Sequence, residues 1–150
     1  MGIRVAIAGV GNCASALIQG VEYYKDAKKD ENIPGVMHAY FGDYHIRDVE
    51  FVAAFEVNRE KIGKDLSEAI WAAPNNCAKF VDVPKKGVTV QAAPIMDGVA
   101  PHMYESFRAD KSTKPVDVAQ VLKDTKADML INYLPVGSAK ATEYYAQCCL

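Results

Sequence analysis

The chain has 150 residues, half of them hydrophobic and 24 % charged, with a net charge of −2. That length holds one domain with one core, and the charge offers no basic field to hold a nucleic acid. No apolar run reaches the roughly 18 residues of a membrane span, and the N-terminus lacks the basic, apolar, then small pattern of a secretory signal.

Residues 3–8, IRVAIA, read as a buried strand. Residues 12–24 read as a helix with Ala14, Leu17, Ile18 and Val21 on one face. Residues 25–50 break the rhythm with a charged, turn-prone stretch and then an aromatic one. FVAAFEV, 51–57, is a second buried strand. The spacing of Ile62, Leu66, Ala69, Ile70 and Ala73 predicts a helix over 59–73. A third strand follows at 88–94, and a short helix is expected over 97–108. Pro115 suits the first turn of a helix running to about Ala127. DMLINYLP, 128–135, is a fourth strand, and Ser138 is placed to N-cap a last helix.

Alternating strands and helices, with nearly continuous apolar strands, imply an α/β fold whose parallel sheet is covered on both faces. Ligands then bind at the carboxyl ends of the strands. The chain stops at Leu150 inside a helix with no stop signal. The expectation is therefore the front portion of a longer protein, with the doubly wound sheet incomplete at its C-terminus.

Gly9, Gly11 and Ala14 match the dinucleotide pattern G-x-G-x-x-G/A after a strand and at the start of a helix, which makes the sheet Rossmann-type. Gly9 permits the tight turn, Gly11 lets a pyrophosphate approach the backbone, and Ala14 lets the helix lie close to the sheet. The helix beginning near Asn12 aims its free N–H groups at the phosphates. Glu56 closes the second strand where a ribose-binding acid belongs. It lies farther from the glycines than the fingerprint's roughly 20 residues, and the irregular 25–50 insertion accounts for the surplus. Its carboxylate suits the ribose of NAD and repels the 2′-phosphate of NADP, while Arg59 is the counter-signal. The PVGS turn, with Pro135, Gly137 and Ser138, ends the fourth strand at the crevice, where the nicotinamide half of a cofactor belongs.

GVGNCASALIQGVEYY, PGVMHAYFGDYHIRDVEFVAAFEV, LSEAIWAAPNN, PIMDGVA, PVDVAQVLKDTKADMLINYLPVGS and EYYAQC together closely resemble the bacterial and archaeal branch of myo-inositol-phosphate synthase. The resemblance runs over nearly all 150 residues, and YHIRDV and YLPVGS are not general features of dinucleotide folds. It implies conversion of glucose 6-phosphate to inositol 3-phosphate through NAD-dependent oxidation, enolisation, intramolecular aldol closure and re-reduction. It further implies a cytoplasmic homotetramer, and lysines and often a divalent or monovalent cation that stabilise the enolate. Those lysines belong to a catalytic and tetramerisation domain beyond Leu150, so this chain is expected to carry most of the NAD site and to be inactive alone. The resemblance gives pyrophosphate contacts to Gly9, Gly11, Asn12, Cys13 and Ala14, and the adenosine ribose to Glu56, where the family more often has Asp. It lines the cofactor cleft with Asn75, Asn76, Asp97, Gly98, and the loop of Leu134, Pro135, Val136, Gly137 and Ser138.

Two other readings stand beside it: an NAD-dependent sugar or amino-acid dehydrogenase on the same fold, and a non-catalytic NAD-binding module. His45, Arg47 and Asp48 form a tempting cluster, for which a structural role in the insertion is expected over direct chemistry. Cys13 is expected to pack behind the phosphate loop despite its place at a helix N-terminus. Tyr23, Tyr24, Tyr144 and Tyr145 are expected to pack on helices with solvated hydroxyls. His38 and His102 have no partner in the pattern, and DAKKDE reads as a solvated loop. Cys13, Cys77, Cys148 and Cys149 lack zinc-type spacing, and reduced thiols are expected.

Overall fold

The computed structural model describes residues 2–29, 31–99, 103 and 107–150. Strand β1 (Ile3–Ala8) leads into helix α1 (Asn12–Tyr23). A two-stranded hairpin, β2 (Tyr40–Phe41) and β3 (Tyr44–His45), turns at Gly42 with φ +59° and enters a 3-10 turn, Ile46–Asp48. Then come β4 (Val49–Glu56), a single-turn α2 (Leu66–Ala69), β5 (Val90–Ala92), α3 (Val118–Asp124), β6 (Met129–Asn132) and α4 (Ala139–Cys149). The main sheet runs β5-β4-β1-β6 with every pair parallel. Its order turns back at β1, so the first and last strands of the chain lie side by side and a crevice opens beyond their carboxyl ends.

Alternate side chains of β1 face opposite layers. Val5 and Ile7 pack with Ala14 and Ile18 of α1 and with Leu66 and Ile70. Ala6 and Ala8, with Ala53 and Phe55 of β4, face Val118 and Leu122 of α3 and Tyr145 of α4. The three alanines leave room on that side, which Phe55 and Tyr145 fill with ring centroids 6.0 Å apart. Among the described residues, no helix is long and apolar enough to cross a membrane.

The helix expected over 59–73 is reduced to Leu66–Ala69. Gly63 takes φ +83° and donates its N–H to the Val90 carbonyl, while the Val90 N–H returns to Lys64. The chain here pairs with the start of β5 and cannot also coil. Asp65 then starts the helix, accepting from the Ser67 N–H at 2.9 Å. Leu66, Ala69 and Ile70 are buried as their spacing requires, but Ile62 is half-buried and Ala73 exposed. Pro115 does not begin α3 either. The Val116 N–H extends the β5 pairing to the Ala92 carbonyl, and Asp117 caps the helix through the Gln120 N–H. The last strand stops at Asn132 rather than at Pro135 because the Asn132 side chain turns back to accept the Leu134 N–H. His102 and half of the helix expected over 97–108 lie outside the described residues.

His45 and Asp48 have structural jobs. The imidazole Nδ1 accepts the Arg47 N–H at 3.0 Å and the Asp48 carboxylate accepts the His45 N–H at 2.7 Å, a reciprocal cap on the turn that feeds β4. With Nδ1 accepting, Nε2 carries the proton and donates to the Ala27 carbonyl at 2.8 Å. His38 is exposed, and Tyr24 donates its hydroxyl to the Pro34 carbonyl.

Candidate dinucleotide site

β1 ends in Gly9, whose φ of +89° suits glycine. Its N–H donates to the Phe55 carbonyl, and a Cβ here would stand 3.0 Å from the Tyr133 carbonyl oxygen. The turn is thus pressed between the ends of β4 and β6. Gly11 differs: a Cβ there would meet nothing within 4 Å. Open space lies against the backbone where α1 begins. Ala14 is fully buried behind the turn, and Cys13 is exposed on the first turn of α1. The structure therefore corrects the expectation that Cys13 packs behind the loop.

Val10, between the two glycines, has both of its polar backbone groups held by buried side chains. Its N–H donates to Glu56 Oε2 at 2.9 Å. Its carbonyl accepts from Lys61 Nζ at 2.7 Å and from Asn75 Nδ2 at 3.1 Å. Lys61 Nζ also donates to Asn75 Oδ1 at 2.8 Å and stands 3.8 Å from Glu56 Oε2. Glu56 Oε1 accepts the N–H groups of Val57 and Asn58 at 2.8 and 3.3 Å. Glu56 is only 6 % exposed and Lys61 1 %. Burial pulls the Lys61 ammonium below its ordinary pKa, and the Glu56 carboxylate opposes that shift. Asn12 laces the next loop down: its Oδ1 accepts the Asn76 and Cys77 N–H groups, and its Nδ2 donates to Asn76 Oδ1.

On the far lip, Asp97 does not face the cavity. Its carboxylate accepts the Lys140 N–H at 2.8 Å and the Ala141 N–H at 3.0 Å, capping α4 from outside. Those N–H donors hold its carboxyl below the usual aspartate range. Ser138 occupies the N-cap position without capping; its hydroxyl donates to the Pro135 carbonyl at 2.6 Å. Gly98 lies against Ser138, where a Cβ would come within 2.8 Å of Oγ. Val136 is fully exposed, and Gly137 turns the chain at φ +95°.

A cavity of about 240 Å³ lies between these lips. Of the residues the sequence pointed to, Gly9, Gly11, Asn12, Glu56, Asn75, Gly98, Leu134 and Pro135 line it. Cys13, Ala14, Asn76, Asp97, Val136, Gly137 and Ser138 stand around it without lining it. Sequence reasoning missed Lys61, Tyr133 and Tyr145 as lining groups. Tyr145 is 5 % exposed and packs against Phe55 at the cavity wall. Burial first, then the Glu56 charge, pushes its phenol well above the ordinary value. Among the described residues, no three His, Cys, Asp or Glu side chains cluster as metal ligands would.

The residues fit a dinucleotide. The open space at Gly11 is the room a pyrophosphate needs, and no side chain caps α1, so its positive end is left to a ligand.

No family model matches the chain. Curated relatives do. The chain is 52 % identical over 148 residues to the inositol-3-phosphate synthase of Mycolicibacterium smegmatis, 53 % to that of Corynebacterium glutamicum and 51 % to that of Mycobacterium tuberculosis. Each alignment covers 99 % of this chain and 40 % of the relative. Among solved structures, the crystal structure of Ari2 superposes with a TM-score of 0.79 at 31 % identity, covering 99 % of this chain and 42 % of that one. A myo-inositol-1-phosphate synthase-related protein from Thermotoga maritima shares the fold, with a TM-score of 0.53 at 20 % identity over 89 % of this chain and 35 % of that one. With half of its residues identical along its whole length, the chain is similar to the N-terminal part of these inositol-3-phosphate synthases and spans about two-fifths of the length of the curated relatives it matches.

Proposed function

We propose that this chain is the NAD-holding portion of an inositol-3-phosphate synthase, which converts D-glucose 6-phosphate to 1D-myo-inositol 3-phosphate without net oxidation. The observation that carries the reading is the pairing of an uncapped α1 with open space at Gly11, in a chain about half identical to such synthases. NAD, when bound, supplies a reversible hydride acceptor for the sugar. Gly11 and the first N–H groups of α1 hold the pyrophosphate. Glu56 orients the adenosine ribose while it holds the Val10 N–H. Leu134 and Pro135 form the wall beside the nicotinamide half and keep water from it. A cofactor retained through the whole cycle needs a rigid seat, and the buried groups around Val10 supply one. The same reading makes the protein a cytoplasmic homotetramer whose enolate-stabilising lysines, and any assisting cation, lie outside this chain.

The full-length protein, given glucose 6-phosphate and NAD, is expected to form inositol phosphate with no accumulation of NADH. Steady release of NADH would replace this reading with a dehydrogenase. NAD binding without any turnover would replace it with a binding module.

A further inference from the structure

Lys61 is a long cationic side chain almost wholly withdrawn from water, and the reaction as written gives it no task. Burying an ammonium is costly unless it is paired and hydrogen-bonded. Its two hydrogen bonds both converge on the glycine turn, directly at the Val10 carbonyl and indirectly through Asn75, whose amide donates to the same oxygen.

The geometry of one peptide unit says what this achieves. The Val10 carbonyl and the Gly11 N–H belong to the same planar, trans peptide, so they point in opposite directions. Drawing the carbonyl inward to Lys61 turns the Gly11 N–H the other way. No described residue accepts that N–H. Lys61 also fixes Asn75, by donating to Oδ1 so that the amide must present Nδ2 to Val10 and to the Ile70 carbonyl at 2.9 Å. Without the ammonium, the Val10 carbonyl keeps one partner, an Asn75 amide oriented by the Ile70 carbonyl alone.

We propose that Lys61 is the positioning residue of the glycine turn, holding the Val10–Gly11 peptide so that the Gly11 N–H faces the dinucleotide pyrophosphate. This rests on the cofactor reading above. Lys61 acts on the pyrophosphate through the backbone, while its 3.8 Å pairing with Glu56 Oε2 gives it only an indirect hold on the ribose. Its loss is therefore felt much more by ligands that carry a pyrophosphate than by the nucleoside alone.

The test is calorimetric titration of the full-length protein and its Lys61→Met variant with NAD, ADP-ribose and adenosine, with circular dichroism to verify the fold. Lys61→Met keeps the apolar stem and removes the donor. The expected result is at least tenfold weaker binding of NAD and ADP-ribose, with adenosine within about threefold of the wild type. Should that variant fail to fold, Lys61→Gln, which is uncharged and shorter, is expected to show the same divergence. Equal loss for all three ligands would overturn the proposal by making Lys61 a general core residue. Unchanged NAD binding in the variant would overturn it alone, leaving the cofactor reading intact. Wild-type protein that binds neither NAD nor ADP-ribose would overturn the cofactor reading, and the proposal with it.

Discussion

Helices α1 and α4 start at the same edge of the sheet, after the paired strands β1 and β6. Each therefore offers a positive N-terminus to the same crevice. At α4 the protein neutralises that end itself, since Asp97 takes the Lys140 and Ala141 N–H groups. Aspartates also cap α2 and α3, through Asp65 and Asp117. At α1 no side chain caps, and Gly11 leaves space in front. On the proposed reading, this difference is what places the pyrophosphate at α1. An anion goes to the end the fold has not already filled, while Asp97 uses the other end to draw the lip after β5 against the lip after β6.

The strongest way to break the contrast is at the support of the open end. Glu56→Ala strands the buried Lys61 ammonium and releases three backbone N–H groups. Removing one partner of a buried pair costs about 3–5 kcal/mol, which denaturant unfolding is expected to show. Gly11→Val sharpens the contrast, because its Cβ meets no protein atom within 4 Å and φ is −90°. The melting temperature is expected to hold while NAD binding weakens about a hundredfold, or about 2.7 kcal/mol, in a calorimetric titration. Asp97→Ala addresses the filled end. It is expected to lower the melting temperature and to weaken NAD binding far less than Gly11→Val does, since its carboxylate serves α4 and not the cavity.

The smallest effect is in pH. The Asp97 carboxyl is held below its ordinary value of 3.8 by the Lys140 N–H first, against an opposing burial effect, with the Ala141 N–H adding to the lowering. The unfolded chain takes up this proton first as pH falls. The stability Asp97 contributes is then complete above about pH 4 and disappears as pH drops through its lower folded value. Acid unfolding of Asp97→Ala is expected to have a shallower slope in that window than the wild type.

What could be read from the sequence was local. Gly9, Gly11 and Ala14 stand within six positions of one another and act within one turn, so their spacing carries their geometry. The two faces of the sheet followed from apolar runs that Val5, Ile7, Ala6 and Ala8 bear out. Lys61 was not legible, because the apolar spacing that predicts the 59–73 helix does not single it out. It is buried only because Gly63 ends that pattern and Asn75 and Val10 converge on it from other segments. The resemblance places Asp97 at the cofactor cleft, whereas its side chain turns to α4. Its role as the cap of α4 depends on the β5 and β6 loops meeting across the sheet, which no short-range signal records. Tyr145 looked like one more helical tyrosine, and its burial beside Phe55 follows from the small alanines opposite.

The central claim is that the open end of α1 is the pyrophosphate seat, and a crystal structure of the full-length protein with NAD tests it most directly. The account predicts pyrophosphate oxygens within about 2.7–3.2 Å of the Gly11 and Asn12 N–H groups, with the Val10 carbonyl still turned toward Lys61. A pyrophosphate bound at the start of α4 with Asp97 displaced, or away from both helix ends, would contradict it.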